Sequence, residues 1–342
     1  MPEHGDRRTA IPDRNQSDRD ATIAVILVNY CTLNLTVQCL ASLEAEIASL
    51  PGSRVVVVDN ASPDGSGVMI AEAITEQRWA DWATLLAQPR NGGFGYGNNA
   101  AMRVLLAQQA PPTYFWLLNT DTVIHEGALR SLVAFMQANP SVGISGSQLE
   151  DPDTTVQSSA FRFHSIAGEF EANLQVGIVS RLLGPWAIAP AQPSRPTPYD
   201  WISGASMLIR REVVEQVGFL DEGYFLYYEE TDYCRRAKAG GWTCWFVPES
   251  RVVHLVGQST GVTSRTTQTK RRPTYWFQSR RRYFIKHHGI AYAVLADAVL
   301  ASATMLARLR DGLLGRGRKS PDRFLRDLLR ESAALNPQIG NN

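Results

Sequence analysis

Two acid-bearing stretches of this chain combine residue types and spacings suited to group-transfer chemistry. In FWLLNTDTVI (115–124) an apolar, β-forming run stops at Asn119, Thr120 and Asp121 and then resumes. On an extended segment residues two apart point the same way, so Asn119 and Asp121 can offer oxygens to one point, as a hard divalent cation shared with phosphates requires. The same residues can instead open a turn and cap a helix beginning near Glu126. In YYEETDYCRR (227–236) Glu229, Glu230 and Asp232 crowd an apparent helix start, with Arg235 and Arg236 following. Acids favour helix N-termini and such arginines pair with them, yet two adjacent carboxylates behind aromatic residues can also leave one poised as a general base. His254 ends the strand-like RVVH, where a lone histidine is more often structural than catalytic.

These residues need elements to position them. From Thr22 onward short β-branched runs alternate with helical stretches: TIAVILVNY, RVVVVDN, WATLLAQP, TYFWLLN and VGISGSQLE read as strands, with helices between them. Continuous apolar strands in such alternation predict a mostly parallel sheet covered on both faces, whose ligands bind outside the carboxyl ends of the strands. Asn29 closes the first strand there, and Asp59 and Asn60 close the second. DNASPDGS is good turn chemistry, and it can also grip a nucleobase. RNGGFGYGNNA (90–100) joins the third strand to a helix. Its glycines allow backbone amides to approach phosphate or sugar closely, so Arg90, Asn91, Gly92, Gly95 and Asn98 are candidate donor contacts. Asn98 stands where the dinucleotide fingerprint needs glycine, and the loop follows the wrong strand, which excludes a nicotinamide cofactor.

The chain has 342 residues, 44% of them hydrophobic, with 34 basic against 33 acidic side chains. That suffices for one large domain with additions or two domains, and near-neutrality gives no case for nucleic-acid binding. Cys31, Cys39, Cys234 and Cys244 form no CxxC pair or metal cluster and read as reduced thiols of a cytosolic protein. The first twenty residues are polar, without an apolar core, and are expected to be a disordered tail rather than a signal peptide. IAYAVLADAVLASATMLARL (290–309), with Asp297 and Arg308, reads as too dilute for a membrane span.

In series, ILVNY, VVVVDNASPDGS, RNGGFGYGNNAA, LLNTDT, ISGASMLIRREVVEQVGFLDEGYFLYYEETDYCRR and HLVGQST resemble a family 2 glycosyltransferase of the GT-A type, in particular its bacterial rhamnosyltransferase-like branch, over roughly residues 22 to 288. Each motif is weak alone; their order is not. The resemblance implies an α/β, GT-A (Rossmann-like), mostly parallel sheet flanked by helices, with a C-terminal helical extension. It implies a disordered 1–20, a catalytic domain at 21–268 (nucleotide-binding half about 21–150, acceptor half about 151–268) and a basic, amphipathic helical region at 269–342. It gives Asp59 the nucleotide base, Asn119 and Asp121 the ends of a DxD-type motif holding Mg²⁺ or Mn²⁺ with His254, Glu230 the catalytic base, and Trp201, Gly204 and Ala205 the lining of the donor-sugar and acceptor pocket. Two departures stand out. Asn119 removes one negative charge from the cation site, and Glu230 replaces the usual Asp, leaving room for Glu229 to share the role.

The implied reaction is inverting transfer of a sugar, foremost L-rhamnose from dTDP-L-rhamnose, to a surface-polysaccharide or polyprenyl-linked saccharide acceptor. A UDP-sugar donor (galactofuranose, glucose or N-acetylhexosamine) and an inactive sugar-nucleotide binder are the alternatives; a sugar nucleotidyltransferase lacks its basic Gly-rich signature here. From Arg265 to His288 eight Lys/Arg and no acid interleave with aromatics, which fits an anionic membrane surface at the inner face of the plasma membrane. The helical face of Phe324, Leu325, Leu328 and Leu329 suits packing on the catalytic domain or on a second subunit of a homo-oligomer equally well.

Overall fold

A computed structural model describes residues 21–174, 176–255, 271–315 and 320–338. The expected tail at 1–20 and all of HLVGQST beyond Leu255 lie outside the described residues.

Strands β1 (Ile23–Asn29), β2 (Arg54–Asp59), β3 (Ala83–Ala87) and β4 (Tyr114–Leu118) form the parallel half of a nine-stranded sheet. Helices α1 (Leu33–Ser49), α2 (Ser66–Glu76) and α3 (Gly93–Leu106) connect them. Beyond β4 come β5 (Thr122–Ile124), α4 (Ala128–Ala138), β6 (Val142–Glu150), the short β7 (Ala160–Phe161), β8 (Thr197–Tyr199), β9 (Trp201–Ile202), β10 (Ser206–Arg210), α7 (Arg211–Val217), α8 (Glu229–Ala239) and β11 (Thr243–His254). The order across the sheet is β3-β2-β1-β4-β10-β6-β11-β5. β10 enters antiparallel between β4 and β6, a feature that strand-by-strand reading cannot give because it depends on which strands become neighbours.

Both sheet faces are covered, which is why the strands are apolar without alternation. Ile23, Val25 and Leu27 of β1 pack with Leu40, Leu43, Leu132 and Met136 of α1 and α4. Ala24 and Ile26 face the other way, toward Met102 and Leu105 of α3 and Val213 of α7.

The stretch from 151 to 200 carries more structure than its proline content suggests: α5 (Ile166–Leu174) and α6 (Gly177–Leu183) precede a 3-10 turn at Gly184–Trp186. α5 is held by the C-terminal helices α9 (Thr274–His288), α10 (Ile290–Leu313) and α11 (Phe324–Arg330). Arg280 of α9, buried, bonds Glu169 of α5 at 2.6 Å and also Asp297 of α10. Phe324 and Leu328 pack against Phe277 and Leu300, so that part of the apolar face of α11 is turned inward, while Leu329 is exposed. Most of the basic run is likewise engaged internally: Arg281 with Glu331, Arg282 and Lys286 with Asp221, and Arg271 with Asp327. The tract judged too dilute for a membrane span continues to Leu313, and by length and composition that 24-residue helix is long and apolar enough to cross one. It nonetheless buries Ala293, Ala296 and Leu300 against its neighbours and exposes Leu306, Leu309 and Leu313.

Candidate active site

The carboxyl ends of β1, β2 and β4 open onto a cavity of about 360 Å³ whose walls include Tyr30, Asn60, Asn91, Asn119, Phe225 and Tyr275. Three of the expected donor contacts, Asn60, Asn91 and Asn119, line it directly. Asn29 and Asp59 stand one layer back. Asn29 Nδ2 donates to Asp59 Oδ1 at 2.7 Å, Ser62 Oγ donates to the same oxygen at 2.6 Å, and Asn29 Oδ1 accepts from Thr32 Oγ1 and Thr36 Oγ1. The network holds the ends of β1 and β2 and the start of α1 in one arrangement.

The glycine-rich loop closes the opposite wall. Gly93 has φ +88°, and a Cβ there would lie 1.9 Å from the Phe225 carbonyl oxygen, to which Phe94 N–H donates at 3.1 Å. Only glycine fits such a backbone contact. Asn60 Nδ2 donates to Gly93 O at 2.9 Å and Asn98 Nδ2 to Phe94 O at 2.9 Å. Arg90 is exposed and lies over the Tyr96 ring; Gly92 and Gly95 serve close packing on Tyr96 and Leu220. Arg90, Gly92, Gly95 and Asn98 thus shape the loop rather than line the cavity.

At the rim, β11 pairs antiparallel with β5, with His254 opposite Thr122. This pairing sets His254 Nε2 3.5 Å from Asp121 Oδ1 and 3.5 Å from Asn119 Nδ2. His254 Nδ1 lies 3.3 Å from Gln157 Oε1, while Gln157 Nε2 donates to the His254 carbonyl at 2.8 Å and to Asp151 at 2.9 Å. With both donors of that amide nitrogen engaged, Gln157 Oε1 accepts from Nδ1–H, which turns Nε2 toward Asp121. A carboxylate and an imidazole nitrogen at one point, with an adjacent amide whose oxygen could join them if Asn119 turned its Nδ2 away from His254, fit a divalent cation. No group of three or more His, Cys, Asp or Glu converges here or elsewhere among the described residues.

The acid pair reaches the same region through two residues. Asn119 N–H donates to Ala205 O at 3.1 Å, continuing the β4–β10 pairing. A Cβ on the neighbouring Gly204 would lie 3.1 Å from the Phe94 ring and 4.0 Å from Glu230 Cβ. Gly204–Ala205 is thus the thin wall between the Asn119 rim, Phe94 and Glu230. Trp201, on β9, stacks on Phe161 at 4.2 Å and faces a second cavity instead.

Tyr227 and Tyr228 lead into α8 with φ of 70° and 69°, a left-handed conformation that costs about 1–3 kcal/mol per non-glycine residue and recurs where geometry is functional. Burial raises both following carboxyls: Glu230 is pushed up to about 7, drawn back by the Glu230 and Gly204 amides, and Glu229 is raised well above the usual range by burial and by Glu230. Neither Oε2 has a hydrogen-bond partner among the described residues. Two adjacent buried carboxyls thus both favour the protonated form, and Glu230 ionises near neutrality. Asp232, by contrast, is tied to Arg236, Lys286 and His287, which hold it well below the usual range despite burial.

Sequence reasoning missed Gln157, Phe225 and Tyr275. Gln157 sits in an aperiodic stretch and Tyr275 on a distant helix, so nothing local to either residue announces the site.

A family model described as glycosyl transferase family 2 matches residues 22–218. An N-acetylglucosaminyl-diphospho-decaprenol L-rhamnosyltransferase of Mycobacterium tuberculosis is 28% identical over 293 residues, covering 80% of this chain and 84% of that protein. The rhamnosyltransferase WbbL of Escherichia coli is 24% identical over 164 residues, 47% of this chain and 60% of that one. Among solved structures, a Pyrobaculum calidifontis mannosyltransferase in complex with GDP-Man and Mn²⁺ has a TM-score of 0.52 at 17% identity, covering 92% of this chain and 80% of that chain. At that identity it supports the fold alone.

Proposed function

The chain belongs to glycosyl transferase family 2, and from that premise we propose that this glycosyltransferase moves L-rhamnose from dTDP-L-rhamnose, with inversion, onto a lipid-linked or surface-polysaccharide saccharide. The observation that carries the reading is the meeting of Asp121 and His254 at 3.5 Å beside the Gly204–Ala205 wall, behind which Glu230 sits. The donor assignment is supported by relatives named as rhamnosyltransferases; a UDP-sugar is the alternative.

Asn60, Asn91 and Asn119 offer amide groups to the donor, and Tyr30, Phe225 and Tyr275 shield it from water. Glu230 takes the acceptor hydroxyl proton as that oxygen bonds to the anomeric carbon, and the bond from that carbon to the diphosphate oxygen breaks on the opposite face. A Mg²⁺ or Mn²⁺ ion held by Asp121, His254 and Asn119 would supply Lewis-acid neutralisation of the departing diphosphate. With one carboxylate in that set, such an ion would draw further oxygen ligands from the diphosphate. Residues 21–268 act as the catalytic unit, with donor half 21–150 and acceptor half 151–268, and 269–342 extends the acceptor side. Exposed Leu306, Leu309 and Leu313 of α10 suit peripheral contact with the inner face of a membrane carrying the acceptor.

A panel of dTDP-, UDP- and GDP-sugars tests this. Slow, metal-dependent release of dTDP from dTDP-L-rhamnose is expected. Binding without turnover, unchanged by Glu230→Gln, would overturn it in favour of an inactive binder.

A further inference from the structure

A second cavity of about 640 Å³ lies between the acceptor side of the catalytic unit and the C-terminal helices. It is walled by a continuous series of rings. Trp201 lies 6.0 Å from His164, His164 lies 4.6 Å from Tyr228, Tyr228 lies 6.4 Å from Trp276, and Trp276 lies 6.0 Å from Phe324. The series has a direction. Tyr228 directly precedes Glu229 and Glu230, and Trp201 lies three residues before Gly204, so the backbone at this end leads to the acid pair, although neither glutamate lines the cavity. The other end, at Phe324 and Leu300, belongs to an apolar cluster.

One basic side chain lines this cavity without a carboxylate partner. Glu169 is paired with Arg280, which it shares with Asp297, whereas Arg272 rests on the Trp276 ring, 4.5 Å from its guanidinium carbon, close to Tyr227 and Tyr228, with no ion pair among the described residues. Every other arginine or lysine of the described part of α9 and its approach is paired with an acid. A half-buried guanidinium resting on a ring, with its fork of donors unused by any acid, is a receptor for an anion, and phosphate oxygens match it best. Glu171 and Asn173, which also line the cavity, offer polar contacts suited to sugar hydroxyls.

We propose that this cavity seats a glycosyl-phosphoryl-prenyl acceptor, its saccharide at the Trp201–Tyr228 end toward Glu230, its phosphate on Arg272 and the first units of its lipid against Phe324 and Leu300. The proposal rests on the glycosyl-transfer reading above, with its lipid-linked acceptor, and adds to it a site and a specificity-determining residue. Arg272 acts on acceptor choice, since the chemistry itself belongs to Glu230.

The test compares two synthetic acceptors on the full chain: N-acetylglucosaminyl diphosphoryl farnesol, and the same sugar joined to farnesol without phosphate. Wild type should show a KM at least about tenfold lower for the diphosphoryl acceptor, the scale of one charge-assisted contact. Arg272→Gln should abolish that ratio by raising the KM for the charged acceptor alone, and Arg272→Lys should restore part of it. Quenching of tryptophan fluorescence by the charged glycolipid, without donor, should follow the same order. An unchanged KM ratio and unchanged quenching in Arg272→Gln would overturn the site. Nucleotide release by wild type without acceptor separates the two levels: if it occurs while the ratio is insensitive to Arg272, the cavity assignment alone fails; if no donor is turned over, the reading beneath it fails too.

Discussion

His254 Nε2 stands 3.5 Å from Asp121 Oδ1, and Gln157 holds the opposite ring nitrogen. The relationship makes Gln157 a positioning residue that fixes the imidazole tautomer. Gln157→Leu should weaken activation by Mn²⁺ about 10–100-fold, the usual effect of removing such an outer partner. The check is a metal titration of donor turnover, with His254→Ala as the more severe comparison.

The two glutamates should separate by mutation. Glu230→Gln should cost about 10²–10⁴-fold in kcat, the range for loss of a general base, while Glu229→Gln, which mimics the protonated form, should retain most activity at pH 7. The sign of the pH dependence follows from the raised acidity constant. A base must be ionised, so kcat/KM should rise with pH and level off above about 7. Stability runs the other way. A carboxyl whose folded value is raised binds its proton more tightly in the folded state, so stability falls as pH climbs from the ordinary carboxylate range through about 7. Glu230→Gln should therefore gain stability relative to wild type above that point, measurable as thermal midpoints at pH 5 and pH 8.

Gly204→Ala tests the thin wall. The new Cβ would meet the Phe94 ring at 3.1 Å and approach Glu230 Cβ at 4.0 Å, enough to shift either by tenths of an ångström. Turnover should fall about tenfold because small misplacements at a reacting centre are costly. The midpoint of unfolding should change little.

Arg280→Met should destabilise the protein by about 3–5 kcal/mol, because it strands the buried carboxylates Glu169 and Asp297. Denaturant titration reads the loss. The triple change that also replaces Glu169 and Asp297 by apolar residues should recover much of it.

The parallel half of the sheet and the rim residues were legible because strands apolar on both faces and polar strand ends are local patterns: Ile23 to Leu27 and the NTD triplet announce themselves. His254 meeting Asp121 was accessible only through family resemblance, since the contact joins residues 133 positions apart and depends on β11 pairing with β5. The antiparallel β10, helices α5 and α6, and Gln157 gave no periodic signal. The basic run read as a membrane surface instead pairs largely with acids such as Asp221 and Asp327, which lie far from it or beyond it in sequence. Composition does not reveal such pairings.

The most direct test is the anomeric configuration of the product. Wild-type enzyme, dTDP-L-rhamnose and a lipid-linked N-acetylglucosamine should yield a glycoside whose one-bond carbon–hydrogen coupling at the new anomeric centre shows the configuration opposite to the donor, and Glu230→Gln should yield almost none. Retained configuration, or undiminished product from Glu230→Gln, would contradict the account.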